Sequence, residues 1–272
     1  MTTGQTAERR LTAYLDNEAS RNVIHSPEEA KRLGYEGGLV TGVVVFGWAV
    51  PAVLEVLGDG WLSHGWTDYR FRRPVYEGDE VHAQIHELEP GMADVEIMRQ
   101  GEERCVVGGV GLGTASWFEE IEDTGGLRPA EDAPESKPRL VEVADVPVGE
   151  LIRPRAVPVS LEEAGTLADR VRDQDPRWRG TGALVHPHFV GSQMYQLLLH
   201  SYDQYPSMHY HSRIQQLAPI TAGQTLTVTG RFVDATERNA NRFLTIAGAI
   251  FGEDGAELFR IRYQTVFHIT GR

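Results

Sequence analysis

The feature that most constrains this chain is a repeat spaced by 145 residues. Phe71-Arg-Arg-Pro-Val-Tyr-Glu-Gly-Asp-Glu-Val81 is similar to the segment from Ile214 to Leu226. Pro74 falls on Pro219, Val75 on Ile220, Gly78 on Gly223 and Val81 on Leu226. The same offset carries Leu39-Val40 onto Leu184-Val185 and Gly37 onto Gly182. Matching Pro and Gly alone would be weak, because both simply punctuate loops. Two separated segments that keep one offset point to a duplicated unit, which must bury its apolar face against its copy.

Composition places the junction. Between Phe118 and Pro138, seven carboxylates crowd together with Gly125-Gly126, Pro129 and Pro134. Such a run buries little apolar area and self-repels, so a surface linker is expected. The expected organisation is residues 1–118, an acidic linker over 119–145, and 146–272. Each half reads in the same order. Ser26-Pro27-Glu28-Glu29 has the marks of a helix start, with Ser26 as the cap and Gly34 as the stop. From about Thr41 to Leu57 a second helix is apolar almost all round, which requires other structure to wrap it. Strands are expected over Asp79–Glu87, Val95–Arg99 and Arg104–Thr114, then over Thr225–Val233, Arg242–Phe251 and Glu257–His268. The fold class is therefore α+β: a curved antiparallel sheet around one helix, twice over.

Lys and Arg number 26 against 39 Asp and Glu, a net charge of −13. That balance argues against nucleic acid, whose phosphates need cations, and against an anionic membrane surface. A single cysteine, Cys105, forms no intrachain disulfide. The uncharged stretch from Gly37 to Leu54 carries four glycines and Pro51 and fits a buried core helix better than a bilayer span. With no apolar run of signal type at Met1–Arg10, a cytoplasmic protein is expected.

The chemistry concentrates in Ser20-Arg-Asn22-Val-Ile-His25 and in Gly37-Gly38-Leu-Val-Thr41-Gly42. This stretch, with Phe71 to Val81, resembles the MaoC-like and (R)-specific enoyl-CoA hydratases of the hot-dog fold. The resemblance covers about residues 10 to 116 well and 146 to 272 more loosely, as the other half of a double hot-dog. It implies that His25 matches the family's acid/base histidine and Asn22 its asparagine. The Gly42 amide would fall at the oxyanion position, where charge develops on a thioester oxygen. Thr41, Gly38 and Gly37 form the adjoining loop. There are two departures in the motif: Ser20 stands where the family has its catalytic Asp, and Val23 replaces a proline. Thr41 also replaces the loop histidine. A serine is no general base near neutral pH without a group that activates it.

In the second half, Asp173-Gln-Asp175-Pro176-Arg177-Trp178 overlays the same motif, with Trp178 at the His position; a plain helix-ending turn is the favoured alternative. His186 then corresponds to Thr41. His209 and His211 would share one face of a strand, but no carboxylate or Cys completes a metal spacing. Gly108 to Gly113 suggests close backbone approach in a strand, and Trp48, Trp61 and Trp66 fill core or tunnel wall. No metal and no cofactor is expected. The implied partner is an acyl thioester of coenzyme A or of an acyl carrier protein, with a homodimer compatible. The resemblance implies a hydratase or dehydratase; a hot-dog thioesterase and a non-catalytic acyl-thioester-binding protein or partner subunit remain as alternatives.

Overall fold

The structure, a computed structural model, describes residues 4–15, 22–100, 102–204, 206–239 and 241–269. Its first half holds β1 (Thr6–Thr12), α1 (Pro27–Arg32), α2 (Gly42–Gly47), α3 (Val50–Leu57), α4 (Gly60–His64), β2 (Gly65–Phe71), β3 (Glu80–Glu89), β4 (Met92–Arg99) and β5 (Glu103–Leu112). The second holds β6 (Leu151–Val159), α5 (Leu161–Arg170), α6 (His188–Ser201), β7 (Met208–Gln216), β8 (Gln224–Arg238), β9 (Asn241–Phe251) and β10 (Glu257–His268). All ten strands form one sheet, in the order β1-β3-β4-β5-β2-β7-β10-β9-β8-β6. Read outward from the middle, each half gives the same order, so the two expected sheets are halves of one.

The duplication is visible in single hydrogen bonds. Val40 N donates to Val75 O at 2.8 Å, and 145 residues on, Val185 N donates to Ile220 O at 2.9 Å. Leu39 bridges Tyr76 and Leu184 bridges Thr221. Gly78 and Gly223 both take positive φ, 84° and 94°, where a side chain would be strained. The residue after each glycine ties the turn: Asp79 accepts from Tyr76 N and from Arg99, and Gln224 donates to the Thr221 carbonyl.

The halves meet where β2 pairs with β7, from Trp66 opposite Gln215 to Arg70 opposite His211. Gln215 is fully buried there. Its amide donates to the carbonyls of Gly65 and Gly113 and accepts from Ala115 N. Asp68 accepts from His211 at 2.7 Å and from Arg213 at 3.0 Å across the same seam.

The apolar segment expected as one helix is two. Pro51 lacks the N–H that would bond the Gly47 carbonyl, and α2 ends at Gly47. Gly47 has a second reason to be glycine: a Cβ there would come within 2.6 Å of Val171 and 3.0 Å of His188. α3 packs on β1 and β3, α6 packs on β6 and β8, and α2 crosses α6. Ser26 does precede α1, but its hydroxyl donates to Glu28 and accepts no backbone N–H. Among the described residues no helix is long and apolar enough to cross a membrane.

The acidic connection lies along the outer face of the sheet. Ala115, Trp117 and Ile121 pack with Ala247 and, half-buried, with Trp66 and Val233. Its carboxylates meet arginines of the second-half strands: Glu120 with Arg213, Glu122 with Arg262, Asp123 with Arg231 and Glu142 with Arg242. Of the carboxylates that crowd together in the bare sequence, Glu120, Glu122, Asp123 and, with Arg153, Glu131 are thus matched. Each exposed pair is worth about 0–1 kcal/mol, so the buried aromatics matter more to this packing.

Candidate functional site

His25 closes a short 3-10 turn, Val23–His25, and is buried. Its Nδ1 lies 2.6 Å from the Leu39 carbonyl oxygen. A carbonyl can only accept, so Nδ1 carries the hydrogen and Nε2 presents a lone pair. Burial pushes the imidazole below its ordinary value, with the Leu39 carbonyl partly opposing. At neutral pH His25 is therefore a neutral base. It lines a cavity of about 580 Å³ together with Asn22, Thr41 and Gly42.

Asn22 reaches across to the second half. Its Nδ2 donates to Ser207 O at 2.7 Å and its Oδ1 receives Ser207 N at 3.4 Å. These bonds pin the His25 turn against the start of β7. Gly42 opens α2, where the first backbone N–H groups have no acceptor within the helix. A Cβ on Gly42 would come 2.9 Å from the Phe71 ring. Gly38 does not line the cavity, but a side chain there would strike the His25 carbonyl. Gly37 is also off the cavity and has only Tyr76 nearby, at 3.9 Å. Ser20, with Asp16 and Glu18, lies outside the described residues.

Two histidines of the cavity, His188 and His209, were invisible to the motif reading. His209 lines the cavity, with Phe71 at 4.8 Å, Tyr263 at 4.7 Å and Tyr69 at 5.6 Å between ring centroids. Burial pushes it down to about 3, with a smaller contribution from His211, and its Nε2 meets Ser212 Oγ at 2.7 Å. The expectation that His209 and His211 share a face fails. β10 pairs Thr265 with His209 and Gln264 with His211, which leaves Tyr210 as an extra residue. That bulge reverses the alternation. His209 faces the cavity, and His211 lies in a polar groove with Arg70, Glu120 and Arg262.

The second half keeps the same backbone without the same pocket. Pro176–Trp178 is a 3-10 turn 153 residues after Val23–His25. Leu184 N bonds Arg177 O as Leu39 N bonds Ile24 O. Here the backbone fits the motif overlay, and Asp173 also closes the helix-ending turn of α5, its N–H bonding Ala168 O. Trp178 is fully buried at the His25 position, and the void beside it, lined by Leu62, Val185, Pro187 and Phe259, is about 10 Å³. Asp173 is buried; burial raises its carboxyl, but His186 and the Asp175 amide outweigh this and hold it at about 2. In the glycine run, a Cβ on Gly108 would strike the Asp68 carbonyl and one on Gly111 the Trp66 ring, so the strands approach closely.

No protein-family model and no curated protein sequence matches the chain. Solved structures do. A protein assigned as a MaoC domain dehydratase from Chloroflexus aurantiacus aligns with TM-score 0.67 and 15% identity, over 97% of this chain and 95% of that one. A double hot-dog protein from Mycobacterium tuberculosis aligns with TM-score 0.66 and 15% identity, over 98% and 96%. A protein assigned as an oleoyl thioesterase from Lactobacillus plantarum aligns with TM-score 0.53 and 12% identity, over 98% of both chains. At these identities it is architecture that is shared, over nearly the whole length: the chain has the double hot-dog fold, built as MaoC-type dehydratases are built.

Proposed function

We propose that this chain is a MaoC-like hydratase or dehydratase acting on an enoyl or 3-hydroxyacyl thioester. The observation that carries the reading is His25 itself. The Leu39 carbonyl holds the hydrogen on Nδ1, so Nε2 carries the basic lone pair, in a cavity that also contains the first residue of α2.

In dehydration, the Gly42 N–H binds the thioester oxygen and stabilises the charge that forms there. Nε2 of His25 removes the proton from the carbon next to the carbonyl. The electron pair forms the double bond, the 3-hydroxyl leaves, and the His25 proton goes to it as it departs as water. One neutral imidazole thus serves as base and then as acid. Hydration runs the same steps backward. Asn22 is a positioning residue, holding the His25 turn to the second half through Ser207.

The test is a mass-spectrometric screen of 2-enoyl- and 3-hydroxyacyl-CoA thioesters, with His25→Ala alongside. Gain or loss of water by the wild type only supports the proposal. Release of free coenzyme A would replace it with thioesterase chemistry. Binding without turnover would leave an acyl-binding protein.

A further inference from the structure

The plugged pocket of the second half still holds three joined polar side chains, and one of them faces elsewhere. His186 Nδ1 accepts from the backbone N–H of His188 at 3.3 Å and stands 2.9 Å from His188 Nδ1. A nitrogen that accepts from a backbone N–H presents a lone pair, so the hydrogen between the two rings belongs to His188. The His186 hydrogen then sits on Nε2, 3.4 Å from Asp173 Oδ2, close enough for electrostatic attraction but outside hydrogen-bond geometry. The assignment leaves His188 Nε2 bare. That atom is buried and has no hydrogen-bond partner among the described residues. Yet His188, only 3% exposed, contributes to the wall of the same cavity as His25 from the other central helix, its Nε2 itself covered.

An acceptor left unused at that depth is costly, unless a bound molecule brings a donor. A carboxylate or phosphate brings none and would be repelled by the lone pair. We propose that His188 is a binding residue of this cavity, its Nε2 accepting a hydrogen bond from a donor group on the bound acyl thioester. Asp173 and His186 are positioning residues: they hold the tautomer that makes His188 an acceptor. The inference rests on the thioester reading above. Such a molecule has two kinds of donor, a hydroxyl on the acyl chain and the amide N–H groups of the pantetheine arm.

The tautomer is tested first, without any ligand. Long-range proton–nitrogen spectra of histidine-labelled protein, with His188→Gln for assignment, should give a protonated Nδ1 and a bare Nε2 for His188. Asp173→Asn can turn its NH2 toward His186 Nε2, and both rings should then exchange tautomers. A wild-type His188 protonated on Nε2 overturns the proposal.

Calorimetry follows with hexanoyl-CoA, 3-hydroxyhexanoyl-CoA and hexanoyl-pantetheine, on a His25→Ala background so that no ligand is consumed. His188→Leu should weaken binding roughly three- to tenfold, and His188→Gln, which keeps an acceptor, should recover part of it. His188→Phe serves if the leucine variant does not fold. A loss confined to the hydroxylated ligand assigns the hydroxyl; an equal loss for all three assigns the pantetheine amide. Unchanged affinity in the variants overturns this inference alone. No binding of any thioester overturns the reading of the cavity, and this inference with it.

Discussion

The two adjacent glycines of the His25 loop make opposite predictions. In Gly38→Ala the new Cβ meets the His25 carbonyl oxygen, with the His25 carbonyl carbon and Pro27 N each at 3.2 Å. All three are backbone atoms, so no rotamer change relieves the overlap. Overpacking of this kind costs about 1–3 kcal/mol. The loop moves away from His25, which also strains the Nδ1–Leu39 bond, worth about 0.5–1.5 kcal/mol. Together these come to about 1.5–4.5 kcal/mol, a fall in Tm of about 3–18 °C for a chain of this size. Gly37→Ala has no heavy atom within 3.9 Å of its Cβ and no positive φ, and should melt within about 1 °C of wild type. Differential scanning fluorimetry of both variants is the assay. Equal melting of Gly38→Ala and Gly37→Ala would refute the assignment of Gly38 as the support of His25.

Stability should fall as the pH drops below 6.5. The imidazoles of His25, His188 and His209 are all held below their ordinary value of 6.5, so each binds a proton more readily unfolded than folded. Unfolding then takes up protons, and the urea midpoint should fall between pH 7 and pH 5; a flat midpoint contradicts the burial argument. Asp173, held at about 2, behaves differently: the stability it adds is present above its ordinary 3.8 and disappears only toward pH 2. Trp178→Ala empties a fully buried site and should cost about 3–5 kcal/mol in urea unfolding. Gln215→Leu removes the amide that bonds three carbonyls and one backbone N–H at the seam and should cost at least about 2 kcal/mol, with both halves unfolding in a single transition.

What was legible in the sequence was what short-range chemistry dictates. Gly78 and Gly223 mark turns because positive φ excludes other residues, and the offset of 145 survives in the bonds of Val40 and Val185. β10 runs from Glu257 to His268, the bounds expected from its β-rich sequence. The edge strand β1, Thr-Ala-Glu-Arg-Arg-Leu-Thr, was not legible, because one buried residue in seven gives no apolar pattern. Nor was the bulge at Tyr210, since nothing in His-Tyr-His tells an added residue from an ordinary strand position. The arginines that pair with Glu120, Glu122 and Asp123 lie 93 to 140 residues away in sequence, so those pairings were hidden too. Within the site, the motif pointed to His25 and Gly42. The contact of Asn22 with Ser207 and the arrival of His188 and His209 depend on the second half folding against the first.

The β2–β7 seam has a consequence for how the cavity is assembled. His25 and Gly42 come from one half, while Ser207, His209 and Phe189 come from the other. In a site shared by separate chains those walls would drift apart on dilution. Here both belong to one polypeptide, so the second wall is supplied at an effective concentration fixed by the connecting segment. Ligand binding per chain should stay constant from micromolar down to nanomolar protein, and a single dilution series would display it.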